Sequence, residues 1–137
     1  VQNMEYGNFI ITIMSFGFKY GIPRDSDIVQ DVRFLPNPYY DEELRPLTGN
    51  DKVIQDYVMN CKEGPEFLDK FIDLVQFLIP NYIKEGKNQL VISIGCTGGK
   101  HRSVTIANEV YSRLQKSTYT VRIYHRDIGK DAVVKKL

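Results

Sequence analysis

The chain has 137 residues, 42% of them hydrophobic and 26% charged, and a formal net charge of +1. That suffices for one domain with a buried core and is too short for two. No apolar run approaches the roughly 18 residues that span a bilayer, and VQNMEYGNFIITIMSFG has no basic region ahead of its apolar stretch, so neither a membrane partner nor a signal peptide is expected.

The elements follow in chain order. Residues 8–16, NFIITIMSF, are β-branched and apolar and end at a glycine, which predicts a first strand buried on both faces. KYGIPRDSD (19–27) has the Gly, Pro and Asp content of a loop, and IVQDVRFL (28–35) reads as a second strand. PNPYYDEELRPLTG (36–49) holds three prolines without a clean period, which predicts a long, ordered loop of functional use. Asp51–Asn60 is a short helix. Glu66–Tyr82 is a longer one, with Phe67, Phe71, Leu74, Val75, Leu78 and Tyr82 on one face and Pro80 kinking or ending it near Ile79. A turn at 85–89 leads into the third strand, QLVISIG. Ala107, Val110, Tyr111 and Leu114 mark another amphipathic helix, and STYTVRIYHRD (117–127) a fourth strand.

The third strand, its helix and the fourth strand form a β-α-β unit, whose crossover is right-handed. A single α/β domain, 1–137, with a mostly parallel sheet flanked by helices follows. In such sheets the ligand sits beyond the carboxyl ends of the strands. Those ends are Ser15–Gly17, Arg33, Cys96–Gly98 and His125–Asp127, all polar or glycine-bearing except Phe16.

The densest signal is IGCTGGKHRS, 94–103. Gly98 and Gly99 let the backbone turn through positive φ and let a ligand approach. The amides that open the next helix have no partners within it and point outward. Lys100, His101 and Arg102 add side-chain donors, and Arg102 has the fork to grip a phosphate. Thr97 supplies a hydroxyl or caps the helix. Cations oppose the dipole at a helix N-terminus, so three together call for an anion. The plainer alternative is a glycine turn with a basic first turn of helix.

Cys96 and Arg102 also have the Cys-x5-Arg spacing of cysteine phosphatases, in which an acidified thiolate attacks phosphorus. Such chemistry needs a general acid. Asp25, Asp27 and Asp41 are available and nothing singles one out, and Gly95 stands where a histidine would precede the cysteine. Cys96 is therefore read first as a small, half-buried residue at a strand end; the alternatives are a cysteine-dependent phosphatase that uses Cys96 and Arg102, and a purely structural oligomerisation domain that binds no phosphate. Neither a metal nor a cofactor is expected: Cys61 and Cys96 form no ligand cluster, and a thiol in a glycine loop fits a reducing compartment, the cytoplasm.

Charge is uneven. From Lys100 onward there are nine Lys or Arg against three Asp or Glu, so the first 99 residues carry −5. A basic final quarter suits a polyanion, or else a solvated helix face and tail.

SFGFKYGIPRDSDIVQDVRFLPNPYYDEELRPLTGNDKVIQDYV and IGCTGGKHRSVTIA closely resemble the C-terminal domain of the RapZ/YvcJ family of bacterial cytoplasmic proteins. The resemblance runs from Ser15 to His125. It implies a phosphofructokinase-subdomain-like fold that, in enterobacterial members, binds glucosamine-6-phosphate and a small regulatory RNA and presents that RNA to an endoribonuclease. The family's ATP- and GTP-binding half carries a Walker A loop; no G-x-x-x-x-G-K-[ST] occurs here. Carried over by position, Lys19, Arg33, Thr97, Gly98, His101 and Arg102 form the sugar-phosphate site. Tyr39 stands where those members have histidine. The RNA-contact candidates are His125, Arg126, Lys130, Lys135 and Lys136, in a tail that also holds Asp131. The resemblance further implies a regulatory protein partner and self-association, as a homodimer or larger.

Overall fold

In the computed structural model, described over residues 9–130, four strands form one parallel sheet in the order β2-β3-β1-β4. They are β1 (Ile10–Gly17), β2 (Ile28–Asp31), β3 (Gln89–Cys96) and β4 (Thr120–His125). Three helices accompany them: α1 (Lys52–Met59), α2 (Glu63–Glu85) and α3 (Arg102–Leu114). The core lies between the helices and one face of the sheet, where Ile11, Ile13, Leu90, Ile92 and Ile94 meet Leu68, Phe71, Val75, Ile106 and Val110.

The connections explain where a ligand can sit. β1 runs to β2 across β3, whereas β2 runs to β3, and β3 to β4, in the opposite direction along the sheet. Right-handed crossovers running opposite ways lie on opposite faces. Accordingly, residues 18–27 pass over the face away from the helices, where Ser26 Oγ meets Ser93 Oγ at 2.5 Å. The reversal falls between β1 and β3, which makes their carboxyl ends the switch point of the sheet. Gly17 and Cys96 are paired there.

Several expectations need correction. β1 is not buried on both faces. Ile11, Ile13 and Ser15 are buried, while Ile10, Thr12 and Met14 are half-buried, because no helix covers their side. β2 stops at Asp31, where the Asp31 carboxylate accepts the Arg33 amide at 2.8 Å and turns the chain. β4 is shorter than 117–127. Pro80 does not end α2: it is exposed, the helix runs through it to Glu85, the Asn81 side-chain Nδ2 donates to the Phe77 carbonyl at 2.8 Å, and Tyr82 and Ile83 pack on the core beyond it. The helix ends instead at Gly86, φ 110°. Its buried face is Leu68, Phe71, Ile72, Val75 and Ile79, so Leu74, placed inward from the sequence, is 49% exposed.

One glycine is dictated by packing. The tip of the Phe16 ring lies against Gly95, and a Cβ there would stand 2.4 Å from its Cζ. Phe16 in turn meets Phe18 edge-on at 4.8 Å between ring centres. Gly95→Ala is expected to lower stability by roughly 1–3 kcal/mol, the cost of overpacking a filled core. Urea denaturation checks this, and an unchanged midpoint would contradict the packing.

Candidate functional site

The strand ends open into a cavity of about 440 Å³. Its floor is the end of β3 and the turn after it: Cys96, Thr97, Gly98, Lys100, His101 and Arg102. Lys19 enters from the turn after β1, and Asn37, Tyr39 and Tyr40 stand on the long loop after β2. That loop is ordered by its own bonds: Asn37 Oδ1 accepts the Tyr39 amide at 3.1 Å, and Arg45 Nε donates to the Tyr39 carbonyl at 2.7 Å.

The turn sits where it does because glycine faces glycine. A Cβ on Gly17 would lie 2.5 Å from the Gly98 carbonyl carbon, and one on Gly99 2.6 Å from the Gly17 amide. Gly99 takes φ 76°; Gly98 does not share that conformation, contrary to the sequence expectation. The backbone approach brings the amide end of α3 to the mouth of the cavity, where its unpaired N–H groups favour an anion.

Three basic residues open this helix, and all are buried: Lys100, His101 and Arg102 are 9%, 6% and 6% exposed. They are not equivalent. His101 Nε2 donates to the Arg45 carbonyl, 3.1 Å away, and burial pushes its pKa below the ordinary value of 6.5 despite that bond. At neutral pH it adds no full charge, so the cradle has the cations Lys19, Lys100 and Arg102 and a neutral imidazole. Arg102 is partly spent on the fold. Its Nη1 donates to the carbonyls of Arg33 (2.7 Å) and Leu35 (3.4 Å), and its Nη2 to Thr97 Oγ1 at 3.4 Å. Its Nε is buried with no hydrogen-bond partner. A buried guanidinium N–H left unpaired costs about 1–3 kcal/mol. Thr97 therefore receives a bond from Arg102 and does not cap α3.

Arg33 contributes differently from its sequence placement. Its guanidinium is bound two-fold by Asp31, at 2.7–3.0 Å, and lies 4.1 Å over the Phe18 ring. It does not line the cavity; only its carbonyl reaches Arg102. Cys96 is 3% exposed, more buried than expected, and its thiol donates to Ser103 Oγ at 3.2 Å. No carboxyl group is among the cavity-lining side chains, and Asp25, Asp27 and Asp41 are all outside it. Asp27 is paired with Lys87 at 2.7 Å. The cavity offers donors that suit an oxyanion and, among the described residues that line it, no Asp or Glu.

The RNA-contact candidates are tied into the fold. His125 Nε2 faces Asn108 Oδ1 at 3.1 Å and its Nδ1 faces Ser15 Oγ at 2.7 Å, which fits a neutral imidazole with the proton on Nε2. Arg126 and Lys130 both pair with the Asp127 carboxylate, at 2.8 and 2.6 Å. Lys135 and Lys136 lie outside the described residues. Asp127, passed over in the sequence, is 1% exposed and also accepts the Gly17 amide at 2.8 Å. Its burial pushes the carboxyl up, but the bonds from Arg126, Gly17 and Lys130 outweigh this and hold it below 3.8. Tyr40 and Asn37 were also missed; the only signal was their place beside Tyr39.

These groups set the pH dependence. Burial depresses both His101 and His125 below 6.5, so the unfolded chain binds their protons first as pH falls. Their contribution is complete above about pH 6.5 and is lost as pH falls through the depressed folded values. Asp127 contributes above about pH 3.8 and is lost only below it. Urea midpoints are expected to fall between about pH 7.5 and pH 5, and to fall less in His125→Gln. A flat profile in that window would contradict two neutral imidazoles, one buried and one half-buried.

Among the described residues no helix is long and apolar enough to cross a membrane, and no group of three or more His, Cys, Asp or Glu is placed to hold a metal. A family model described as the RapZ C-terminal domain matches residues 9–129. A nucleotide-binding protein of Agathobacter rectalis is 71% identical over 134 residues, covering 97% of this chain and 46% of its own length. One from Thermoanaerobacter sp. strain X514 is 62% identical over 131 residues, with 96% and 46% covered. One from Clostridium botulinum strain Eklund 17B is 57% identical over 137, with 95% and 47% covered. The chain thus spans a little under half the length of these relatives.

Proposed function

The chain belongs to the RapZ C-terminal domain family, and on that premise we propose that it is a regulatory, ligand-sensing domain that binds a phosphorylated amino sugar of the glucosamine-6-phosphate type. The observation that carries this reading is the buried basic turn at the switch point, Lys100 to Arg102, with an orphaned guanidinium N–H. A phosphate there offers an acceptor to the orphaned Nε–H of Arg102 and to the amides of the turn, and its charge suits a cluster of basic side chains. In this reading the phosphate lies against the amides of the 97–102 turn, with Lys19 closing over it. The sugar ring lies toward Asn37, Tyr39 and Tyr40, where apolar ring faces and an amide suit a polyhydroxylated ring. The volume of about 440 Å³ is in the range of small-ligand sites.

Occupancy is passed on to a small RNA or a protein partner, and self-association belongs to the same proposal. A phosphate in the cradle cancels part of the positive field at the strand ends, so a polyanion bound there and the sugar phosphate weaken each other by equal factors. The relatives' description as nucleotide-binding proteins favours a second reading, in which a nucleotide phosphate takes the same turn. Without a G-x-x-x-x-G-K-[ST] loop in this chain, we assign nucleotide binding to the part of those longer proteins that it does not match.

Calorimetric titration distinguishes the readings. Glucosamine-6-phosphate is expected to bind saturably and glucosamine not to bind. Lys19→Ala should weaken the sugar phosphate by about 1.5–3 kcal/mol, the range for a hydrogen bond to a charged group. Tighter binding of ATP or GTP than of any sugar phosphate would favour the second reading, and no binding of any phosphorylated ligand would sink both.

A further inference from the structure

Asp127 is a buried carboxylate immediately behind the anion turn, an odd place for a negative charge. A Cβ on Gly99 would come within 3.0 Å of its own Cβ. Proximity alone would make it oppose an incoming phosphate. Its bonds show a different use. One oxygen accepts the Gly17 amide at 2.8 Å, fixing the residue whose backbone touches Gly98 and Gly99. The carboxylate also holds the Arg126 guanidinium at 2.8–3.0 Å. That guanidinium reaches onward, donating to the Gly21 carbonyl at 2.6 Å and the Tyr20 carbonyl at 3.4 Å. Lys130, bound to the other oxygen, stands 4.9 Å over the Tyr20 ring.

The segment 17–21 is therefore braced at both ends by one side chain, directly at Gly17 and through Arg126 at Gly21. Between the braces lies Lys19. Its amide donates to the Thr97 carbonyl at 3.3 Å, its Nζ stands 5.2 Å over the Tyr20 ring, and its side chain lines the cavity. Arg126 and Lys130 neutralise Asp127, so the brace adds no net repulsion toward an anion.

Resting on the anion-binding reading above, we infer that Asp127 is a positioning residue of the site: it acts through the 17–21 turn to hold Lys19 over the bound phosphate. The same bonds give Arg126 and Lys130 a role inside the domain in place of a direct contact with a polyanion. Asp127→Asn keeps the volume but loses the charge that orders Arg126 and Lys130, and it offers the Gly17 amide a weaker acceptor. Lys19 then samples positions away from the cradle.

The test is a double-mutant cycle on the described chain, with glucosamine-6-phosphate and inorganic phosphate as probes and calorimetry as the readout. Asp127→Asn is expected to weaken binding about tenfold, the effect of losing one charge-assisted contact. In a Lys19→Ala background the same change should cost almost nothing further. Arg126→Gln, which removes the Gly21 brace and leaves Gly17 bonded, should reproduce the loss if Asp127→Asn does not fold. Unchanged affinity in a folded Asp127→Asn or Arg126→Gln chain overturns the inference, as does an equal loss with and without Lys19. If the wild-type chain binds neither probe, the anion-binding reading itself has failed.

Discussion

The structure depends on one close approach, backbone against backbone, between Gly17 at the end of β1 and Gly98–Gly99 after β3. There is no room for a Cβ on either side. The contact is possible because β1 and β3 are parallel neighbours in register to their last residues, Gly17 against Cys96. It fixes the turn, the turn fixes the start of α3, and α3 carries the basic residues into the cavity. Everything said about the site follows from that geometry. A side chain at either glycine would push the helix start away from the sheet and separate the amides from Lys19.

The same region shows how charge is managed when it cannot reach water. Arg102 satisfies carbonyls of the 33–35 segment and so staples the second strand's exit to the helix. His101 gives up its charge to burial. Asp127 keeps its charge because three donors surround it. Only a ligand with acceptors fits what remains, an unpaired guanidinium N–H beside helix amides. Arg126 and Lys130, named as RNA-contact candidates, each pair with Asp127, and the Lys130 side chain is 46% exposed.

The layout was legible because it is written in local patterns. Apolar β-branched runs, a glycine turn and an amphipathic helix mark β1, β3 and α3, and the parallel order follows from the crossover rule. The loop from 36 to 49 was recognisable by its prolines. What the pattern misplaced depended on tertiary neighbours. Leu74 has the right spacing for a core face, but α2 is rotated toward Leu68, Ile72 and Ile79. Pro80 carries a strong stop signal that two half-buried residues beyond it, Tyr82 and Ile83, override by packing on the core. The glycines and basic residues of the 97–102 turn marked it in the sequence, and Thr97, Gly98, Lys100, His101 and Arg102 line one cavity, whereas Arg33 was placed by its position alone, and its pairing with Asp31 two residues back takes its head elsewhere. Asp127 was invisible because a buried carboxylate looks like any exposed one until its donors, from as far away as Gly17, are in view.

Relatives more than 55% identical over nearly this whole chain are more than twice as long, so this domain's chemistry has to be established on the domain itself. Backbone amide shifts followed by NMR during a titration with glucosamine-6-phosphate test the central claim most directly. The account predicts saturable shifts concentrated at Thr97 to Arg102 and at Gly17 to Lys19, absent with glucosamine. Shifts that are missing there, or that gather elsewhere on the domain, would contradict an anion site at the switch point.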